Sequence, residues 1–170
     1  MSPGRRYGVE IRGALLADAT ELAILLQGDG PPIPPLQMSE RLERLLRDPA
    51  SAVLVAADYG PLAGVIALHW HSTLRDNRPV ARISALRVAE ADRRRGIGRL
   101  LLKAGAQAAR QAGCDRLEAA PPSGAAAGLA FLRDSGFTEE GPALSRGLRK
   151  RQDQGGSLEE GIARTCESAS

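Results

Sequence analysis

Between Tyr7 and Arg12 polar and apolar residues alternate, the period of a strand buried on one face. Asp18 then precedes the apolar run Leu22, Ile24, Leu25 and Leu26, which predicts a helix capped at its start and ended by Gly28. Residues 28–38, GDGPPIPPLQM, hold four prolines, each lacking the N–H that a regular element needs, so an irregular loop is expected. Ser39 is the expected N-cap of a second helix, with Leu42, Leu45 and Leu46 on one face and Pro49 as its stop. Three β-type runs follow at 52–58, 62–72 and 80–88, separated by a turn at 59–61 and a polar loop around 75–79. Together they predict an antiparallel meander. Residues 98–112 place Leu101, Leu102, Gly105 and Ala109 on one helical stripe, with Gly113 as the stop. A short strand at 115–120, an alanine-rich helix at 124–135 and a closing hairpin from 136–140 and 143–148 complete the order.

Strands and helices in that order predict an α+β architecture, a mixed sheet with helices packed on it. Beyond Arg149 the chain turns polar and loses its period, so one domain over 1–148 and a polar tail over 149–170 are expected. A chain of 170 residues has the length of a single core rather than two. No apolar stretch approaches the length of a membrane span, and no apolar core follows the arginines of the N-terminus, so a cytoplasmic protein without a membrane partner is expected.

Composition removes several chemistries. Cys114 and Cys166 lie far apart in no metal-like spacing, and His69 and His71 are the two imidazoles of the chain, which leaves little room for zinc hydrolysis or a Ser/His/Asp triad; no metal is expected. The net charge of +3 rests on 21 arginines and 2 lysines. It suits an anionic ligand, but with aromatics at 3% few rings are available to stack on bases, and no nucleic acid is expected as partner.

The stretch ISALRVAEADRRRGIGRLLLKAGAQAA, residues 83–109, runs from a strand through RRRGIG directly into a helix. Glycines at 96 and 98 leave backbone exposed, the helix start offers unpaired N–H groups, and Arg93, Arg94, Arg95 and Arg99 add donors that fit a diphosphate. A solvated arginine cluster at a helix start is the plainer reading of the same residues. The dinucleotide fingerprint fails because no third glycine follows Gly98, and a Walker A loop fails for lack of its Lys-Ser/Thr pair.

Arg93, Gly96 and Gly98 fill the Gln/Arg-x-x-Gly-x-Gly/Ala signature, preceded by Ile83, Leu86 and Val88 and followed by GC at 113–114 and AFLRDSGF at 130–137. With that context the chain resembles the GCN5-related N-acetyltransferase (GNAT) superfamily, and within it the aminoglycoside 6'-N-acetyltransferase-like branch, whose strands read H-x-H and ARIEALVV. The resemblance implies an acyl-CoA N-acyltransferase fold, a central, mostly antiparallel sheet of about seven strands flanked by four helices. It implies acetyl-CoA as co-substrate, its pyrophosphate on the amides of residues 94–99 (Arg94, Arg95, Gly96, Ile97, Gly98, Arg99) with Arg93 beside them. Its pantetheine would pair with the backbone of Leu86, Arg87 and Val88. A primary amine on a small molecule would then attack the thioester directly, with no covalent enzyme intermediate. Dimerisation is common in the family, and a homodimer through the closing hairpin is one option.

The acceptor half departs from the family. Leu132 stands where a tyrosine general acid is usual, Arg82 and Ser84 hold the two places of a strand glutamate, and Ala120, Pro121 and Ala125 replace a T-S-x-x-x-R pattern. Remaining candidates for proton transfer are His71, Ser84 and Glu118. His71 reads either as packing beside Trp70 or as a relay, since an imidazole ordinarily changes charge near neutral pH. Glu118 reads as a solvent-facing carboxylate or as a cleft base, Ser84 as a small strand residue or a catalytic one, and Cys114 as a buried thiol rather than a nucleophile. The 28–38 loop is either a connector or part of the acceptor wall. Acetyl transfer is therefore the leading expectation, and an acyl-CoA-binding regulatory module that has lost turnover is its rival.

Overall fold

The computed structural model of the chain describes residues 8–28, 31–120 and 126–138. Strand β1 spans Glu10–Gly13, and a 3-10 turn at Leu16–Asp18 leads into α1, Ala19–Gln27. Helix α2, Pro35–Arg47, precedes β2, Ser51–Ala57, β3, Gly64–His71, and β4, Val80–Val88. A 3-10 turn at Glu90–Asp92 joins β4 to α3, Ile97–Gln111, followed by β5, Arg116–Ala119, and α4, Ala126–Asp134. The five strands lie in sequence order; β1 to β4 are antiparallel neighbours and β5 joins β4 in parallel. This is the mixed, mostly antiparallel α+β sheet expected, with five strands among the described residues where about seven were expected. The closing hairpin falls almost entirely outside those residues, and the described part, 136–138, is not strand. The boundary at 148 and the tail also lie outside them.

The alternation of β2 and β3 assigns each face its own core. Val53, Val55, Val65 and Ala67 pack against Leu22, Ala23, Met38 and Leu42 of α1 and α2. Ala56, Ile66 and Leu68 point the other way, onto Ile97, Leu101 and Leu102 of α3. Side chains such as Leu22, Ile66, Leu68 and Leu101 are at most 1% exposed, and each contributes about 1.5–3 kcal/mol by leaving water. Asp18 pins α1 to β1: its carboxylate accepts both terminal nitrogens of Arg12 at 2.7 and 2.8 Å and the Leu15 N–H at 2.7 Å. The Arg12 hydrogen bonds hold that carboxyl below its ordinary range, against the desolvation that raises it.

Two local expectations need correction. Helix α2 starts at Pro35, not after Ser39, so the irregular segment ends at Pro34 and Ser39 lies inside the helix. Proline is tolerated at a first helical position because that N–H has no intrahelical acceptor, and its fixed φ suits the helix. Strand β1 occupies 10–13 rather than 7–12, because its register is set by pairing with β2, Glu10 opposite Ala57 and Gly13 opposite Leu54.

Candidate active site

The sheet opens at the end of β4. Strand β5 pairs with Val80–Ile83 and stops at Ala119, so residues 84–88 have β3 on one side and, among the described residues, no strand on the other. At the same point β4 carries one extra residue: Leu68 opposes Ile83 while Ala67 opposes Ala85, which leaves Ser84 as a bulge whose hydroxyl donates to the Ala67 carbonyl at 3.2 Å. The direction of the free edge follows from one hydrogen bond. Ala89 N–H donates to Ala63 O at 2.9 Å, toward β3. Successive amides of a strand point to opposite sides, so the N–H groups of Val88 and Leu86 face the open edge.

Past Asp92 the chain turns sharply into α3. Arg94 (φ 63°) and Gly96 (φ 79°) both adopt left-handed backbone. The first helical acceptor, Gly96 O, receives the Leu100 N–H at 3.1 Å, which leaves the amides of Ile97, Gly98 and Arg99 without intrahelical partners at the positive end of a 15-residue helix. A Cβ at Gly96 would meet open space, whereas one at Gly98 would lie 3.1 Å from Cζ of Phe131 on α4. A side chain at 98 would therefore need the Phe131 ring on α4 to give by a few tenths of an ångström. The four arginines divide: Arg95 is drawn back onto Asp92 in a short ion pair, with Asp58 at 4.0 Å, while Arg93, Arg94 and Arg99 are exposed with no carboxylate in ion-pair reach among the described residues. Open amides, free guanidinium groups and an unpaired strand edge form a continuous path, and these groups fit the diphosphate and amide-rich arm of a CoA thioester.

On the face that carries α1, a groove of about 280 Å³ lies beside this path, lined in part by Glu21, Leu25, Gly28, Leu62, Arg87 and Arg93. Glu21 accepts the Leu62 N–H at 2.7 Å and so fixes the β2–β3 turn against α1. The Arg87 side chain leaves β4 on this face, while Leu86 and Val88 pack with Phe131 on the opposite one. The placement of Arg87 was legible in the alternation of Leu86, Arg87 and Val88, but what it meets was not.

The proton-transfer candidates are dispersed. Ser84 is at the bulge with its hydroxyl engaged. Glu118 opposes Arg82 in the β4–β5 ladder, bonded to it at 2.9 Å and to Arg116 at 3.3 Å, so its carboxylate is held between two guanidinium groups. His71 stacks on His69 with ring centres 6.2 Å apart and opposes Val80, roughly 20 Å along β4 from Leu86 at the rise of an extended strand. Leu132 is 8% exposed within the apolar interior. Burial, with the Asp115 charge adding to it, pushes the Cys114 thiol up and keeps it protonated, a poor nucleophile. Pro121 and Ala125 lie outside the described residues. Among the described residues no group of three or more His, Cys, Asp or Glu side chains is arranged to hold a metal ion, and no helix is long and apolar enough to cross a membrane.

A comparison with solved structures finds the same fold in proteins of low sequence identity. A transcriptional regulator from Bacillus halodurans superposes with a TM-score of 0.75 at 19% identity, covering 82% of this chain and 99% of that one. AAC(6')-Iy, solved with the bisubstrate analogue CoA-S-monomethyl-acetylneamine, gives 0.73 at 19% identity over 84% and 99%. A ribosomal-protein-alanine N-acetyltransferase from Brucella melitensis gives 0.67 at 21% identity over 84% and 100%. No curated protein matches in sequence. Residues 19–137, the span from α1 to the end of α4 and the turn beyond it, match the model of the Acetyltransferase (GNAT) family. With the open edge of β4 leading into a glycine-containing helix start, and a family match across most of its length, the chain belongs to the GNAT acetyltransferase family.

Proposed function

We propose that the chain moves an acetyl group from acetyl-CoA to a primary amine of a small-molecule acceptor, by direct attack within a ternary complex. The observation that carries this reading is the edge of β4, unpaired among the described residues, whose Leu86 and Val88 amides face outward and which leads to the amides of Ile97, Gly98 and Arg99. In this reading Leu86 and Val88 bind the pantetheine arm as a further strand would, and the start of α3, with Arg93, Arg94 and Arg99, binds the diphosphate. Acetyl-CoA supplies the activated carbonyl. An outward amide at Leu86 or Val88 stabilises charge developing on the carbonyl oxygen, the amine nitrogen forms the new C–N bond, and the C–S bond breaks. An alkylammonium has a pKa of roughly 10, so one proton must leave before attack and one must reach the departing thiolate. With Ser84 bonded to Ala67 and Glu118 held by Arg82 and Arg116, water serves as carrier in both directions. The CoA-based analogue held by AAC(6')-Iy supports a small-molecule acceptor.

A second reading, an acyl-CoA-binding regulatory module without turnover, is favoured by Leu132, which buries an alkyl group where the family commonly has a phenol. The likeness to a transcriptional regulator also supports it. Release of free thiol from acetyl-CoA over a panel of amines separates the two. Amine-dependent release supports the transferase. Calorimetric binding of acetyl-CoA with no release on any amine supports the module, and no heat with CoA overturns both.

A further inference from the structure

Of the arginines in the described residues, Arg12 and Arg87 are half-buried. Arg12 is matched by Asp18 through two hydrogen bonds. Arg87 has no carboxylate in ion-pair reach among the described residues, although it stands in the groove between α1, the β2–β3 turn and the end of β4. Its guanidinium covers Gly28, where a Cβ would lie 2.5 Å from Nη2, so the end of α1 leaves space for this side chain. A guanidinium partly withdrawn from water favours an oxyanion that matches its fork of donors.

We infer that Arg87 selects the acceptor, by holding an oxyanion carried at the end of the molecule remote from its reacting amine. The claim rests on the transferase reading for the identity of the occupant. Position supports it: Arg87 lies between Leu86 and Val88, whose amides face the open edge, and about 7 Å along the strand from Ala85, where the bulge ends. The balance of charge supports it as well. Glu21 and Glu90 line the same groove as Arg87, and with Arg93 given to the diphosphate two carboxylates face one guanidinium group, which disfavours a polyanion and suits a molecule with both an ammonium and an oxyanion. The Glu21 carboxylate already accepts the Leu62 N–H, and Glu90 is at the exposed rim, so neither neutralises Arg87.

The test is a ratio. Thiol release is measured with ethanolamine phosphate, β-alanine and ethanolamine, which present a phosphate, a carboxylate and a neutral hydroxyl beyond the same amine. The full chain should favour at least one oxyanion-bearing amine over ethanolamine by tenfold or more in kcat/KM, and the phosphate and carboxylate arms tell which oxyanion fits. Arg87→Gln should bring that ratio to within twofold of one, and Arg87→Lys should restore part of it. A misfolded variant lowers both rates and leaves the ratio alone, so an unchanged ratio in Arg87→Gln overturns the inference, as does a ratio near one in the unmodified chain. Calorimetry of the same amines on CoA-saturated protein separates the two claims. Arg87-dependent binding without turnover retains the groove and removes the transferase, whereas turnover of ethanolamine with a ratio of one does the reverse. Absence of both binding and turnover for every oxyanion-bearing amine overturns the selection outright.

Discussion

Gly96 and Gly98 stand two residues apart in one motif and answer to different forces. At Gly96 the left-handed backbone excludes most side chains while the space around it is open, whereas at Gly98 the backbone is helical and the ring of Phe131 fills the space a side chain would need. Gly98→Glu should therefore lose CoA binding for two reasons, packing and charge. Adding Phe131→Ala separates them: circular dichroism should show the double variant folded, and calorimetry should still register no coenzyme, because a carboxylate then stands beside the amides offered to the diphosphate. At the start of α1, Asp18 makes a stability prediction with a definite sign. Its carboxyl is depressed by Arg12, so its contribution is present above the ordinary carboxylate pKa of about 4 and is lost as pH falls through the lowered folded value. Asp18→Asn should cost about 2–3 kcal/mol at neutral pH in urea unfolding, in the range for buried hydrogen bonds to charged groups, and should flatten the loss of stability below pH 4.

Strand β4 does two jobs along its length, and the division can be tested with one residue type. Val88 N–H faces the open edge, so Val88→Pro removes a donor that the β3–β4 ladder does not use. Arg87 N–H points to β3, and Arg87→Pro removes a ladder bond from a central strand. Val88→Pro is expected to unfold cooperatively while binding CoA about tenfold more weakly, the worth of one lost hydrogen bond; Arg87→Pro should fail to fold. Calorimetry beside denaturant melts distinguishes the two outcomes. The pattern of the chain marked β4 at 80–88 and the helix after it to within one residue, because the apolar stripe of α3 and the alternation of β4 are both local. It placed the start of α2 five residues late. Four prolines in eleven residues look like a loop from end to end, yet the last of them, Pro35, occupies a first turn that tolerates it.

For the molecule as a whole, the net charge of +3 is less informative than where positive charge is left unmatched. Arg12, Arg82, Arg95 and Arg116 are tied to carboxylates, while Arg93, Arg94 and Arg99 surround the start of α3 without them among the described residues. If those groups attract the diphosphate through water, CoA affinity should fall several-fold between 0.05 and 0.5 M salt, as the screening length shrinks from roughly 14 to 4 Å, and an affinity flat across that range would contradict their role. The fold class, and the junction of glycines and arginines proposed to hold the diphosphate, were legible in the amino-acid sequence alone. Both rest on residues close in the chain: alternation, helical stripe, and Arg93, Gly96 and Gly98 within six positions. The tertiary structure decided everything that depends on long-range pairing. The end of β5 opposite Ile83 leaves the Leu86 and Val88 amides without a strand partner among the described residues, the β4–β5 register ties Glu118 to Arg82, and the packing of α1 beside β4 gives Arg87 a groove of its own. Strand register and helix docking join residues tens of positions apart, and no local pattern encodes which carboxylate is neutralised and which guanidinium is left for a ligand.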